Sequence, residues 1–204
     1  PDVLERIRKS NPERRDNTDD AQCAERIGGS FHLFTSAILA ERTERDSFLR
    51  EHYASPIPEE IRSGYGGAEY FDPDGRFAFS GTFAPSVATV SVPSSSGLES
   101  SYRCVGTVRI AIGEAAYDLM VLDDGDGGAF LPFGDPTNGR STYGGGRYVA
   151  VDILDDATAT IDFNRAVNPY CAYDEEYSCP LPPAGNHIEV AVEAGERDHR
   201  KPTV

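Results

Sequence analysis

Downstream of residue 67, short stretches of alternating apolar and polar residues are separated by turns rich in glycine, proline and aspartate. In PSVATVSVP, residues 85–93, the alternation has a period of two, which places one set of side chains on each face of a β-strand. Eight or nine such strands at regular spacing, without helices between them, are typical of antiparallel folds. We therefore predict a mainly β fold, an antiparallel β-sandwich or split barrel, with helices at its N-terminal end.

Turn residues divide this region into its predicted strands. AEYFDPDGRFAFSGTF, residues 68–83, predicts two strands around a Pro-Asp-Gly turn. HIEVAVEAG, residues 187–195, predicts the last strand of the fold. Between these, the sequence predicts a hairpin around residues 113–114, a strand at 128–133 and a hairpin around residues 155–156.

The N-terminal part of the chain carries the helical signals. Residues 1–35 are strongly charged and predict a loosely attached extension with a short helix at Val3–Arg8. Ser36 is predicted to cap a helix that ends near Tyr53, and a second helix is predicted at Glu59–Ser63. The predicted organisation is an extension at 1–35, a single β-rich domain at 36–197 and a flexible tail at 198–204.

The hairpin around residues 155–156 predicts its own register. Apolar and polar side chains alternate on both of its strands. If the apolar sets face the core, Val151 lies opposite Ile161, and Tyr148 lies opposite Asn164. The side chains on the other face, which we predict to be covered by the loop 168–183, are Tyr148, Asp162 and Asn164.

The same register turns Arg147 toward the core, in line with Val149. A buried guanidinium costs several kcal/mol unless it is paired, and its five N–H donors need acceptors. The cross-strand neighbour in this register, Arg165, offers no negative charge. Asp135 is the nearest candidate carboxylate across the glycine-rich loop, so we predict an Arg147–Asp135 salt bridge, with Glu196 as the alternative partner.

The chain is strongly acidic. Thirty-four acidic residues oppose nineteen basic ones, for a formal net charge of −15, and only two of the basic residues are lysines. This balance is typical of proteins that work in multimolar salt, so we expect a halophilic protein of a salt-in haloarchaeal cytoplasm, an ordinary acidic protein being the alternative. No basic face for nucleic acid, uncleaved signal peptide or membrane span is recognisable, and we expect a soluble, cytoplasmic protein.

A glycine-rich loop before a predicted strand is the first candidate site. In GRSTYGGGR, residues 139–147, three consecutive glycines adjoin hydroxyl and guanidinium groups that could form a backbone nest for a phosphate or carboxylate. The loop does not open a helix, so it is neither a P-loop nor a dinucleotide fingerprint. The structural alternative is a tight loop whose glycines permit positive φ.

Three functions are compatible with these features. One is a binding module for a small anionic ligand, and another is a structural or interaction domain without a ligand. The third is an enzyme that uses Asp135 or Asp162 as a general base beside Tyr143 or Tyr148. The candidate ligand-binding residues are Asp135, Thr142, Tyr143, Arg147, Tyr148, Asp162 and Asn164.

Cys171 and Cys179 lie in a proline-rich stretch and are predicted to be structural thiols, either close together or bridged by a disulfide. A reducing cytoplasm argues against the bridge. A zinc site would also need His187 and Cys104, and the spacing is not a zinc signature, so no metal is predicted. The acidic stretch at 122–130 predicts a solvated hairpin tip in preference to a calcium loop.

Four motifs make the chain recognisable: PFGDPTNGRSTYGGGRY at 132–148, IDFNRAVNPYCAY at 161–173, CPLPPAGN at 179–186 and VEAGER at 192–197. Together they resemble a bacterial and archaeal family catalogued as domain of unknown function sixteen eighty-four, over roughly Glu41 to Arg197. The resemblance implies a compact β-rich domain with no established activity and no assigned catalytic residues. It marks the loops 132–148 and 162–186 as hallmarks. A likeness to the split barrels that bind flavin mononucleotide is an analogy of shape and assigns no cofactor.

Overall fold

Six antiparallel strands close into a barrel in the computed structural model, which describes residues 23–155 and 157–198, with side chains from residue 33 onward. Two helices precede the barrel, α1 (Cys23–Glu51) and α2 (Glu59–Arg62). The strands are β1 (Ala78–Pro93), β2 (Glu99–Ile112), β3 (Ala115–Asp123), β4 (Ala129–Phe133), β5 (Arg147–Ile153) and β6 (Thr158–Asp162). Short 3₁₀ helices follow at Phe163–Arg165, Tyr170–Ala172 and Ala184–Asn186, and another precedes β1 at Gly75–Phe77.

The barrel closes because β6 returns to the first residues of β1, with pairs from Ala78–Asp162 to Thr82–Thr158. Every other strand pairs with its neighbour in sequence. Inward-facing side chains fill a small barrel, so its interior is a packed core and not a channel. The buried apolar residues of this core include Phe83, Val108, Ile110, Leu119, Leu131, Phe133, Val149, Val151, Ile161 and Phe163.

The mainly β fold with N-terminal helices is confirmed. The predicted hairpins around residues 113–114 and 155–156 are present, and β4 fills the strand predicted at 128–133. Val151 pairs with Ile161, as predicted. The alternation of apolar and polar residues was sufficient to predict this register, because a shift of the pairing by one residue would have turned the buried side chains toward solvent.

Two predicted strands are absent. The stretch 68–74 forms only an isolated bridge from Tyr70 to Glu196, and PSVATVSVP is the second half of the single strand β1. The stretch 187–195 was wrongly predicted as a strand and has a single bridge, from His187 to Gly134. The physical reason is that its carbonyl groups are used elsewhere, since those of Val192 and Ala194 accept hydrogen bonds from Arg147.

The predicted Tyr148–Asn164 pair is also wrong, and Tyr148 bridges to Val167 instead. Strand β6 ends at Asp162 because the Asp162 carboxylate accepts a hydrogen bond from the backbone nitrogen of Asn164 at 3.0 Å and caps a 3₁₀ turn. Arg165 lies in that turn and is therefore no cross-strand neighbour of Arg147.

Helix α1 packs on the outside of the barrel end. Ser36 was predicted to cap it, but the helix begins at Cys23, so Ser36 lies within it. Ile38 and Leu49 are its buried apolar residues, and the stretch Val3–Arg8 lies outside the described residues. Within residues 23–155 and 157–198, no helix combines the length and the apolar character needed to cross a membrane.

Candidate functional site

Arg147 is the first residue of β5, and its side chain is buried inside the end of the barrel. The Arg147 Nη2 atom donates to Asp135 Oδ2 at 3.0 Å and to the carbonyl oxygen of Val192 at 2.8 Å, and Nη1 donates to the carbonyl oxygen of Ala194. Both side chains of the Arg147–Asp135 pair are 0% exposed. The salt bridge predicted from the register is therefore confirmed.

The guanidinium of Arg147 is committed to the interior. Desolvation lowers the pKa of Arg147, and the adjacent Asp135 carboxylate opposes that shift. Glu196, the predicted alternative partner, contributes only its carbonyl oxygen, 3.3 Å from Nη1, while its carboxylate pairs with Arg45 of α1. Arg147 thus pins the irregular segment around residue 194 to the barrel.

Asp135 also organises the loop that precedes β5. Its Oδ1 atom accepts hydrogen bonds from the backbone nitrogens of Thr137 at 2.9 Å and Val192 at 3.1 Å. The hydroxyls of Thr137 and Thr142 lie 2.8 Å apart, and the Asn138 side-chain nitrogen donates to Thr142 Oγ1 at 3.0 Å. Thr142 is completely buried. Asp135, Thr142 and Arg147, three of the candidate ligand-binding residues, therefore bind groups of the protein itself.

One glycine of the run is required by the local geometry. Gly146 has φ of +86°, and a Cβ atom there would lie 2.5 Å from Pro182 Cγ and 2.7 Å from the carbonyl oxygen of Phe133. The backbone passes too close to the proline-rich loop for any side chain, and its conformation is one that favours glycine. The structural alternative accounts for Gly146 without a ligand.

Asp162 and Asn164 bind other parts of the chain. The Asn164 side chain accepts from the backbone nitrogen of Asp74 and donates to the Asp74 carbonyl oxygen, both at 2.8 Å. Asp162 lies 3.2 Å from Arg165 Nε. Asn164 is buried, as predicted, and the partner of its side chain is the segment around Asp74.

A pair of buried thiols lies where the two hallmark loops meet. The backbone nitrogen of Cys171 donates to Cys179 Sγ at 3.2 Å, and the two thiols hydrogen bond to each other. The Tyr143 hydroxyl, from the glycine-rich loop, lies 3.8 Å from Cys171 Sγ, and the backbone nitrogen of Cys179 donates to Ser95 Oγ at 3.0 Å. Cys171 is 2% exposed and Cys179 7% exposed. Both are free thiols, so the predicted proximity is confirmed without a bridge.

The two thiols have opposite pKa shifts. The hydrogen bond from Cys179 lowers the pKa of Cys171, and with smaller contributions from Ser95 and Tyr143 it outweighs desolvation, which acts in the other direction. The same hydrogen bond, together with burial, raises the pKa of Cys179. The first proton therefore leaves the pair easily and the second is held. The thiolate, which is the nucleophilic form, develops at Cys171.

The side chain of Tyr148 lies beside the two thiols. Its hydroxyl donates to the carbonyl oxygen of Pro180 at 2.6 Å, and its ring contacts Phe130 edge to face with centroids 5.2 Å apart. Burial raises the pKa of Tyr148, so it remains a protonated hydrogen-bond donor. The predicted cover by the loop 168–183 therefore holds for Tyr148.

These two loops carry the motifs on which the chain can be assigned. A family model described as protein of unknown function (DUF1684) matches residues 63–197. The chain belongs to the DUF1684 family. It is 36% identical to an uncharacterized protein from gene locus rrnAC0354 of Haloarcula marismortui, whose solution NMR structure matches with a TM-score of 0.65 over 83% of this chain and 96% of that one. No curated protein matches the chain.

The recognised motifs of this DUF1684 chain converge on the thiol pair. TYGGGRY supplies Tyr143, NPYCAY supplies Cys171, and CPLPP supplies Cys179. Sequence reasoning identified both cysteines but treated them as structural, and it placed Tyr143 in a different candidate site. The short spacing of Cys171 and Cys179, with seven residues between them, was the only signal, because Tyr143 and Cys171 are 28 positions apart and meet only through the fold.

Sequence analysis also missed the role of Glu196 as an anchor for helix α1 on the DUF1684 domain. The buried Glu196 carboxylate accepts hydrogen bonds from Arg45 Nε at 3.2 Å, from the Asn168 side-chain nitrogen at 2.9 Å and from the Tyr173 hydroxyl. Burial together with the negative charge of Glu196 raises the pKa of Tyr173. No local pattern around Glu196 indicates a partner on a helix 151 positions away.

The acidic stretch of the DUF1684 domain is a turn, as predicted. Asp124 Oδ1 accepts from the backbone nitrogens of Asp126 at 2.9 Å and Gly128 at 2.6 Å, which closes the link from β3 to β4. Among the residues that the structure describes, no group of three or more His, Cys, Asp or Glu side chains is arranged to hold a metal ion.

Proposed function

We propose that this DUF1684 domain is a redox-active dithiol protein, in which a small peroxide oxidises Cys171 and Cys179 to a disulfide. The observation that carries the proposal is the junction itself. The backbone nitrogen of Cys171 donates to Cys179 Sγ at 3.2 Å, and the Tyr143 hydroxyl lies 3.8 Å from Cys171 Sγ. This arrangement supplies a nucleophilic thiolate and, within contact distance, a second thiol that can resolve its oxidised form.

The reaction has two steps. The Cys171 thiolate attacks one oxygen of the peroxide, the O–O bond breaks, and the other oxygen leaves as hydroxide or alkoxide, so that Cys171 becomes a sulfenic acid. The Cys179 sulfur then attacks Cys171 Sγ, the S–O bond breaks, and the departing hydroxide takes up the Cys179 proton as water. Overall, two thiols lose two electrons and two protons, and the peroxide is reduced. A small cellular thiol restores the dithiol by exchange.

The burial of the thiols favours a small oxidant. At 2% and 7% exposed, Cys171 and Cys179 offer no surface to a large disulfide or a protein partner. The segment 175–178, which lies between the two cysteines in sequence, is exposed, and the Ser96 and Ser178 hydroxyls at its edge are 2.9 Å apart. A local opening of this segment admits a molecule the size of hydrogen peroxide.

The anionic-ligand hypothesis stays a prediction. Its main cation, Arg147, donates to Asp135 and to three backbone carbonyl groups, so the loop would have to offer an anion other donors. The exposed Arg140 is the nearest such donor in the loop. The dithiol hypothesis needs a local opening of the segment 175–178 but no exchange of buried hydrogen-bond donors, and we prefer it for that reason.

The test is oxidation of the full-length protein by hydrogen peroxide. After treatment and unfolding, we expect two of the four cysteines to have lost reactivity toward a thiol reagent. Mass spectrometry should show the loss of two hydrogen masses and a cross-link between the peptides that contain Cys171 and Cys179. A reducing agent should restore all four thiols.

Single substitutions supply the controls. Cys179→Ser should stop at a sulfenic acid on Cys171, which dimedone traps, and Cys171→Ser should leave Cys179 reduced. Cys104→Ser is the matched control, because Cys104 is equally buried and free, and it should still form the bridge. Four intact thiols after peroxide treatment of the wild-type protein, or a cross-link that includes Cys104, would overturn the proposal.

A further inference from the structure

Strand β1 leaves the barrel along part of its length. Its residues from Ala78 to Thr82 pair with β6, whereas from Ala84 to Val92 it pairs with β2 alone among the described residues. At the two ends of this stretch, the backbone nitrogen of Phe83 donates to Ala157 and the carbonyl oxygen of Pro93 accepts from Leu181. Between these two contacts, one edge of β1 presents backbone groups that no strand of the described part of the chain pairs with.

The side chains of this stretch of β1 are unusually exposed for a strand. The residues from Ala84 to Thr89 are all exposed, where alternation should bury every second one, and Val87 is 84% exposed. From Thr89 to Val92, β1 and β2 form a two-stranded ribbon, because β3 pairs with β2 only from Cys104 onward. Such a ribbon is only marginally stable in water and gains from a third strand. Such an edge is a template for another chain.

The absence of charge on this segment of β1 indicates which kind of chain can pair with its edge. Residues 77–98 carry no charged side chain, in a protein with a net charge of −15. Natural edge strands are usually protected by charges, and this one is not. A two-fold contact sets the same strand against itself, so any charge on it would face a like charge. A neutral edge on an acidic protein is what such self-pairing requires.

We propose that the free edge of β1 pairs with the same edge of a second copy of this chain, antiparallel and about a two-fold axis. The contact is limited in extent. A β-bulge lies between Pro85 and Ala88, and Pro85 has no N–H to donate, so the paired stretch is Ala88 to Val92. A contact of this size gives a weak dimer that forms with rising protein concentration. Screening of the net charge by salt should strengthen it.

Sedimentation equilibrium of the full-length protein at molar salt tests the proposal. The weight-average mass should rise from the monomer value toward twice that value as concentration rises. The amides from Ala88 to Val92 should become more protected from hydrogen exchange over the same range. A variant with Ala88→Asp and Thr89→Asp, both at exposed positions of the paired stretch, places two carboxylates on each copy at the contact and should remain monomeric. Thr89 is paired with Arg103, which favours folding of the variant.

The matched control carries the same two added charges elsewhere. Ser47→Asp together with Ser63→Asp alters exposed positions outside β1 and should dimerise as the wild-type protein does, apart from a small effect of net charge. A wild-type protein that stays monomeric at every concentration, or amides 88–92 whose exchange does not depend on concentration, would overturn the proposal. Equal dissociation of the control and the test variant would do the same.

Discussion

The buried Arg147–Asp135 pair makes a quantitative prediction for the substitution Asp135→Asn. Asparagine keeps the shape of the side chain, and its oxygen can still accept from the backbone nitrogens of Thr137 and Val192. The other terminal atom becomes an NH₂ group, which faces Arg147 Nη2 at the 3.0 Å contact. A donor then opposes a donor, and a buried cation loses its counter-charge.

The expected cost follows from that burial. Removing one partner of a buried ion pair typically costs about 3–5 kcal/mol, because the remaining charge stays desolvated. The carbonyl groups of Val192 and Ala194 remain as acceptors for Arg147, so we expect the lower end, about 3 kcal/mol. Domains are stable by about 5–15 kcal/mol in total, so the loss is a large share. For a chain of this length it lowers the Tm by about 6–12 °C.

Urea unfolding followed by circular dichroism measures the change in the free energy of unfolding. The matched control is Asp118→Asn, which breaks the Arg109–Asp118 pair at 3.0 Å between side chains that are 60% and 57% exposed. We expect that control to cost less than about 1 kcal/mol, and to cost less still as salt rises, whereas the Asp135→Asn cost should persist. A cost for Asp135→Asn within about 1 kcal/mol of zero, or equal to that of the control, would refute the reasoning about burial.

Three further predictions concern the thiols, the glycine loop and the charge. The rate of alkylation of Cys171 should rise with pH, with a midpoint below that of a free cysteine. Cys179→Ala should shift this midpoint upward, because the hydrogen bond donated by Cys179 is lost. pH profiles of alkylation measured by mass spectrometry test this, and identical midpoints for the wild-type protein and the variant would contradict it. Gly146→Ala should destabilise the protein by at least about 1–2 kcal/mol in urea unfolding, since its φ is +86° and the new Cβ would contact Pro182, whereas Gly185→Ala meets open space and should have a much smaller effect. Secondary structure should be lost on dialysis from molar to millimolar salt, because the net charge of −15 is then unscreened; an unchanged circular dichroism spectrum would exclude this halophilic behaviour.

Local pattern was enough for much of the barrel. The alternation in β5 and β6 predicted the Val151–Ile161 register, and with it the inward direction of Arg147. The Asp135 partner followed from elementary electrostatics, because an inward guanidinium needs a carboxylate within reach of its own loop. The recognised motifs likewise predicted the family, which the family model confirms.

The tertiary structure decided the rest, because a period of two reports which side of a strand is buried and not what lies beside it. The stretch 187–195 forms no strand, because Arg147 donates hydrogen bonds to the carbonyl groups that would otherwise bind a neighbouring strand. The tertiary structure brought Tyr143 to Cys171, and Glu196 to Arg45, across sequence separations that carry no local signal. The sequence by itself determined the strands of the barrel, although it also predicted two that do not form, and it determined the buried cation and the family. The thiol junction and the docking of the helix arise only when the barrel closes and brings distant loops to one end.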